Sequence, residues 1–137
     1  MRPVHASFAA LMLLSAAISP ASYAADAPKE NKGFKASKTT VVDLGPEIEG
    51  MSGRQLRLRL LTIEPGGHIA VHSHKNRPAV VYFVKGVDTV VSEDGTAKQF
   101  RPGDTSSATK ETMHWHRNDG KEVVELIAVD IFQPETK

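Results

Sequence analysis

Gly66–Gly86, GGHIAVHSHKNRPAVVYFVKG, is the stretch whose reading decides the fold. It opens on a glycine pair behind Pro65, carries His72 and His74 two residues apart, and closes on Gly86 after the apolar run Ala79–Val84. In a strand, residues two apart project to the same face. His72 and His74 therefore project together, with Val71 and Ser73 turned away. Downstream, Met113-His114-Trp115-His116-Arg117-Asn118 repeats the arrangement with His114 and His116, and Trp115 faces the other side. Of six histidines, His5 lies near the N-terminus; His68, His72, His74, His114 and His116 all fall in these two segments. The two segments are expected to meet in a small β-barrel and share one metal ion. Several imidazoles buried together without a metal are costly, because each needs a hydrogen-bond partner. Neutral imidazole suits divalent iron, manganese, nickel, copper and zinc. Occupancy should therefore fall as the pH drops below about 6.

Outward from this stretch the chain reads as short strands between Gly and Pro turns, the pattern of a sandwich or barrel. Thr39–Leu44 is β-branched and ends at Gly45-Pro46. Gln55–Ile63 alternates Leu56, Leu58 and Leu60 with Arg57 and Arg59. Period two predicts one buried and one solvated face, and we assign the leucines to the core and the arginines to solvent. Pro65-Gly66-Gly67 is expected to be a turn, with a strand over His68–Ser73 and a loop over Lys75–Pro78. Val87–Val91 and Lys98–Arg101 are further strand segments, separated by the turn Ser92–Gly95 and followed by Pro102-Gly103-Asp104. Met113–Arg117 is a strand, Asn118-Asp119-Gly120 a hairpin turn of the Asp-Gly kind, and Val123–Phe132 a long final strand. No stretch after residue 24 carries a helical period.

The residues also resemble a known family. Gly66, His72, His74 and Gly86 match the first motif of the cupins: glycine, five residues, histidine, any residue, histidine, then a glutamate and a glycine. Pro102-Gly103-Asp104, His114 and Asn118 match the second motif, with a longer spacer before His114. The likeness covers roughly Leu60 to Phe132 and implies an all-β cupin barrel, a double-stranded β-helix related to the jelly roll. It also implies His72, His74 and His114 as metal ligands. The chain departs from the motif at its glutamate, where Ala79 stands and cannot ligate. Three imidazoles with open positions remain a workable site, and without the carboxylate the site favours an anionic ligand. His116 is a candidate fourth ligand, a group that orients a ligand, or the proton-transfer group of a catalytic site. His68 shares the parity of His72 but lies beside the expected turn. By the same parity Val81 and Phe83 should face inward from Ala79.

The family includes dioxygenases, isomerases and decarboxylases. The resemblance thus implies a metal-dependent protein acting on a small organic molecule, an oxygenase or isomerase among the alternatives. The rival reading is a non-catalytic small-molecule-binding cupin, metal-free or with a structural metal. Small cupins are often dimers, and the likeness implies a homodimer here.

The N-terminus reads as an export signal. Arg2 and His5 precede a small-residue apolar run, Ala6–Ile18, too short to span a membrane. Pro20 breaks the run, and Ser22-Tyr23-Ala24 offers a cleavage site. Residues 1–24 are read as signal peptide, 25–38 as a flexible polar leader and 39–137 as the barrel domain. The destination would be a periplasm or the cell exterior, with no membrane attachment after cleavage. Loss of Arg2 leaves Lys plus Arg equal in number to Asp plus Glu. Such a balance offers no excess of cations for phosphates and argues against nucleic acid as a partner. Cysteine is absent, which excludes disulfides and thiolate metal sites and leaves nitrogen and oxygen donors.

Overall fold

The computed structural model describes residues 27–134; the expected signal peptide lies outside them. Eight strands and no helix make up the described residues: β1 Lys32–Asp43, β2 Gln55–Ser73, β3 Ala79–Lys85, β4 Asp88–Ser92, β5 Ala97–Phe100, β6 Thr105–Ala108, β7 Met113–Arg117 and β8 Val124–Phe132. Their order is β5-β4-β7-β2-β8-β3-β6, with β1 added to β2, and the pairings form a nearly closed all-β barrel. Among the described residues no helix is long and apolar enough to cross a membrane.

β2 ties the two halves together. Its first half, Gln55–Ile63, pairs with β8 on one edge and with β1 on the other. Its second half, His68–Ser73, pairs with β7. Pro65-Gly66-Gly67 is therefore a bend inside one 19-residue strand rather than the expected turn between two. The chain stays extended there because the ladder resumes at once: Gly66 N–H donates to Asn118 O at 2.9 Å, and Asn118 N–H donates to Gly67 O at 3.0 Å. A Cβ at Gly67 would lie 2.7 Å from Lys32 O and 2.8 Å from Glu64 O, so only glycine lets the strands approach. Asn118 is more than a turn residue. It is buried, and its Nδ2 donates to Ile63 O and Glu122 O, pinning the β7–β8 hairpin to the bend.

The first strand begins earlier than the β-branched run implied. Lys32–Lys38, expected to be flexible leader, is ordered as the start of β1, with Phe34 opposite Ile63 and Lys35 opposite Thr62. Phe34 is half-buried against the core, and that contact brings the lysine-rich segment into the sheet.

The inward rungs grade from apolar to charged. Ile63–Val124 and Leu61–Leu126–Phe83 build the core with Ile69, Val90 and Phe100. The next rung is Arg59–Ala128–Val81, and beyond it Arg57–Asp130–Ala79. Val81 and Phe83 face inward as expected. The assignment of β2's two faces is reversed, however. Arg57 and Arg59 side chains are only 14% and 18% exposed, whereas Leu56 and Leu58 are 41% and 39% exposed. The arginines turn inward because Asp130, directly opposite Arg57 on β8, is a buried carboxylate that requires cationic partners. The leucines join Val42, Val80 and Tyr82 on the outer face.

Gly86 adopts φ +73°, and a Cβ there would sit 2.8 Å from Val123 O and 3.1 Å from Val124. Gly86→Ala should lower unfolding stability by roughly 1–3 kcal/mol, read from the urea midpoint at unchanged m-value. A change below about 0.5 kcal/mol would show that the backbone relaxes freely at this position.

Candidate metal centre

The second half of β2 and the facing β7 position the histidines. His72 lies opposite His114, and Ile69 lies opposite His116, so β2 carries one extra residue between these pairs. The extra residue resets parity. Ile69 and His72 both face the interior, while His68, opposite Arg117, does not line the cavity. The parity that linked His68 to His72 is thus broken by the bulge. Ala70 and Val71 bond elsewhere: Ala70 N–H donates to Asn31 Oδ1 and Val71 N–H to Pro28 O, both at 2.8 Å. Residues 28–34 consequently form part of the cavity wall, through Asn31 and Phe34.

His72, His74 and His114 converge, with one nitrogen from each within 4.8 Å of the others. His114 Nε2 is 3.1 Å from His72 Nε2 and 3.1 Å from His74 Nε2. Nitrogens on one metal at about 2.0–2.1 Å stand about 2.8–3.4 Å apart at octahedral or tetrahedral angles. The proton count points the same way. His72 Nδ1 donates to Ala70 O at 2.9 Å, and His74 Nδ1 donates to Arg77 O at 3.0 Å. In the neutral rings both Nε2 atoms are then acceptors. His114 Nε2 can donate to at most one of them, so at least one close N···N contact has no proton to bridge it. A cation satisfies all three lone pairs, and the carbonyl bonds fix the rings for that purpose. The donor set fits one divalent transition metal.

Burial also holds these rings neutral. Desolvation, followed by the neighbouring histidines, depresses His114 to about 2. Desolvation likewise lowers His72 to about 4 against the opposing bond to Ala70 O, and it lowers His74 too. Burial thus weakens proton competition for these nitrogens relative to an exposed imidazole.

His116 stands beside the three ligands. Its ring stacks on His72 with centroids 5.8 Å apart and 7° between planes. It lies 4.7 Å from the His114 ring. Its Nδ1 donates to Asp88 Oδ2 at 2.6 Å, and both side chains are buried. Ala79 lines the cavity, as the motif spacing requires, and Asp130 lies across from it on β8. Asp130 is not free to replace the missing glutamate. Its Oδ1 accepts from Arg57 Nε at 3.0 Å, and its Oδ2 accepts from Arg57 Nη2 at 2.8 Å and Arg59 Nη2 at 3.1 Å. The cavity, about 290 Å³, is walled on its other side by Leu61, Val81 and Leu126.

Asp88, Asp130 and the inward turn of Arg59 escaped the sequence reading. A signal existed: Asp88 and Asp130 are single acids within the apolar runs Val87–Val91 and Leu126–Phe132. An acid at an inward position of such a strand implies a buried partner.

The cupin domain profile matches residues 59–130. The chain belongs to the cupin family. No curated protein matches the chain. The fold is similar to that of a predicted oxalate decarboxylase from Thermotoga maritima, with TM-score 0.55 and 17% identity over 80% of this chain and 96% of that one. It is also similar to a recombinant oxalate oxidase in complex with glycolate, at 0.54 and 21%, over 74% of this cupin and about half (52%) of that chain. Ectoine synthase from P. lautus matches at 0.54 and 15%, over 74% of this cupin and 68% of that chain. These likenesses concern the fold.

The depressed imidazoles set a pH dependence for the metal-free cupin. Unfolded histidines take up protons near their ordinary value of 6.5, whereas folded His72 does so near 4. Between these limits the unfolded state binds more protons, so stability falls as the pH drops from about 6.5 towards about 4. Urea titrations of chelator-treated protein at pH 7.5, 5.5 and 4.5 should show this decline, and it should be shallower in His72→Gln. A flat profile would mean that the three rings are solvated.

Proposed function

We propose that this cupin is an exported metal-dependent protein that acts on a small organic molecule, with His72, His74 and His114 as the metal ligands. The observation that carries this reading is the pair of 3.1 Å Nε2 contacts among three rings, two of which spend their Nδ1 protons on backbone carbonyls. A bound iron, manganese, nickel, copper or zinc ion would supply open coordination positions and Lewis acidity. The chain's own residues do the rest. The apolar wall excludes water, and His116, held by Asp88, is the proton-transfer group at the cavity. That buried dyad favours an enzyme of the oxygenase or isomerase kind over a passive carrier, since a binding barrel has no need of an oriented imidazole beside its ligand. Ala79 supports the second reading, a binding cupin with a structural metal, because the site lacks the family's carboxylate.

Elemental analysis of protein purified without chelator or histidine tag tests the metal reading. The expected result is near one equivalent of one transition metal, falling at least tenfold in His72→Ala/His74→Ala and little changed in His116→Gln. N-terminal sequencing of the same preparation should begin at Ala25 if export proceeds as proposed. A folded, metal-free wild type would overturn the metalloprotein reading and leave a binding barrel.

We also propose a homodimer through the outer face of β1, β2, β8 and β3. Val42 lies across from Leu56, and Leu58 from Val129, which in turn faces Val80. Two neighbouring rungs thus carry an apolar band over four adjacent strands, exposed at Val42, Leu56, Leu58 and Val80, and a second copy offers a self-complementary cover. Light scattering at tens of micromolar should give a dimer, and Val80→Lys/Tyr82→Lys should give a folded monomer. A monomeric wild type refutes the proposal.

A further inference from the structure

The cluster around Asp130 holds more positive charge than its carboxylate can use. Arg57 alone completes a two-bond pair with Asp130, and its guanidinium is fixed 3.7 Å over the Phe132 ring. Arg59 and Arg77 are then surplus. Arg59 reaches Asp130 Oδ2 through Nη2 only, and its Nε is buried with no acceptor. Arg77 Nη1 stands 3.6 Å from the same oxygen, beyond hydrogen-bond distance. Arg77 Nη2 makes one long bond of 3.4 Å to Ser73 O. Both arginines line the cavity that the histidines line. Three guanidinium groups share one carboxylate in a place largely withdrawn from water, which is costly unless further anionic charge joins them. Desolvation is also the leading cause of Arg59's weakened hold on its proton. A guanidinium fork with unspent donors matches a carboxylate in shape as well as charge. Ala79 leaves open, beside Asp130, the space that a glutamate would occupy.

We propose that Arg59 and Arg77 are the acid-recognition end of this cavity and bind the carboxylate of a small organic acid, whose remaining atoms lie towards the histidines and the apolar wall. The inference deepens the ligand-site reading above, and it names the substrate class. Arg57 positions Asp130, and Asp130 in turn aims Arg59. Arg77 is tethered through its own carbonyl to His74, so the acid end and the histidine end share one loop.

The test uses the full chain as purified, before and after chelator treatment, with acetate, glycolate, malonate, succinate and glutarate as probes. Succinamide is the uncharged control and inorganic phosphate the competing anion. Calorimetry should find at least one carboxylate that binds the chelator-treated protein, with no binding of succinamide. Affinity should fall at least tenfold in Arg77→Gln and in Arg59→Gln, and Arg77→Lys should recover only part of it. Arg77 is the safer variant, since its contacts to the fold are long, and circular dichroism would verify that it is folded. Binding that is equal in wild type and Arg77→Gln overturns the proposal. So does the absence of binding by every carboxylate, or a preference for phosphate over all of them. Because the measurement is made without metal, these outcomes are separate from the metal reading, which fails instead if the purified protein holds no metal.

Discussion

One strand serves both halves of this barrel, and the rest of the molecule follows from the backbone bonds that allow it. β2 pairs with β8 and β1 over its first half and with β7 over its second. The transfer takes place at Gly66-Gly67, where a side chain on Gly67 would collide with the carbonyl oxygens of Lys32 on β1 and of Glu64 in β2 itself. Beyond the bend, one unmatched residue rotates the strand so that Ile69, His72 and His74 face the interior. Bulges of this kind re-aim side chains at the cost of a few ladder bonds, and here the re-aimed side chains are the candidate ligands.

The interior also contains two charged arrangements at different depths. His116–Asp88 is a buried pair behind the ligand histidines, joined through Asp88 Oδ2 while Asp88 Oδ1 has no partner among the described residues. Asp130 with Arg57, Arg59 and Arg77 forms an open cluster at the charged end of the rungs. Removing one partner of a buried ion pair commonly costs about 3–5 kcal/mol, because the other charge is stranded. Such groups therefore set the rung order as firmly as the apolar core does. The apolar rungs alone would accept either face of β2. A buried carboxylate opposite Arg57 permits only one.

This explains which parts of the fold were legible in the sequence. Most strand positions, the Met113–Arg117 segment among them, followed from period two and from glycine and proline placement, whereas the choice of His72, His74 and His114 among the histidines came from the family resemblance. Period two reports that β2 has two faces but not which is inside, and the leucine–arginine alternation suggested the wrong one. Resolving that choice requires Asp130, more than seventy residues away along the chain. The bulge was likewise invisible, since an unmatched residue depends on the partner strand. The ordering of Lys32–Lys38 turned on a single aromatic, Phe34, within an otherwise polar segment. The departure at Ala79 was legible against the family motif, and with it a preference for an anionic ligand; the arginines beside Asp130 were visible only in the fold.

The bonds from residues 28 and 31 to the unmatched part of β2 bear on where this domain can be cut. Ala70 and Val71 turn their N–H groups away from β7 and find acceptors in Asn31 and Pro28. A shortened form starting at Thr39, where the β-branched run begins, would retain the core rungs and the histidines. It would also leave two amide donors without acceptors and open the cavity wall that Phe34 and Asn31 close. The smallest unit that keeps the cavity intact thus begins near Pro28.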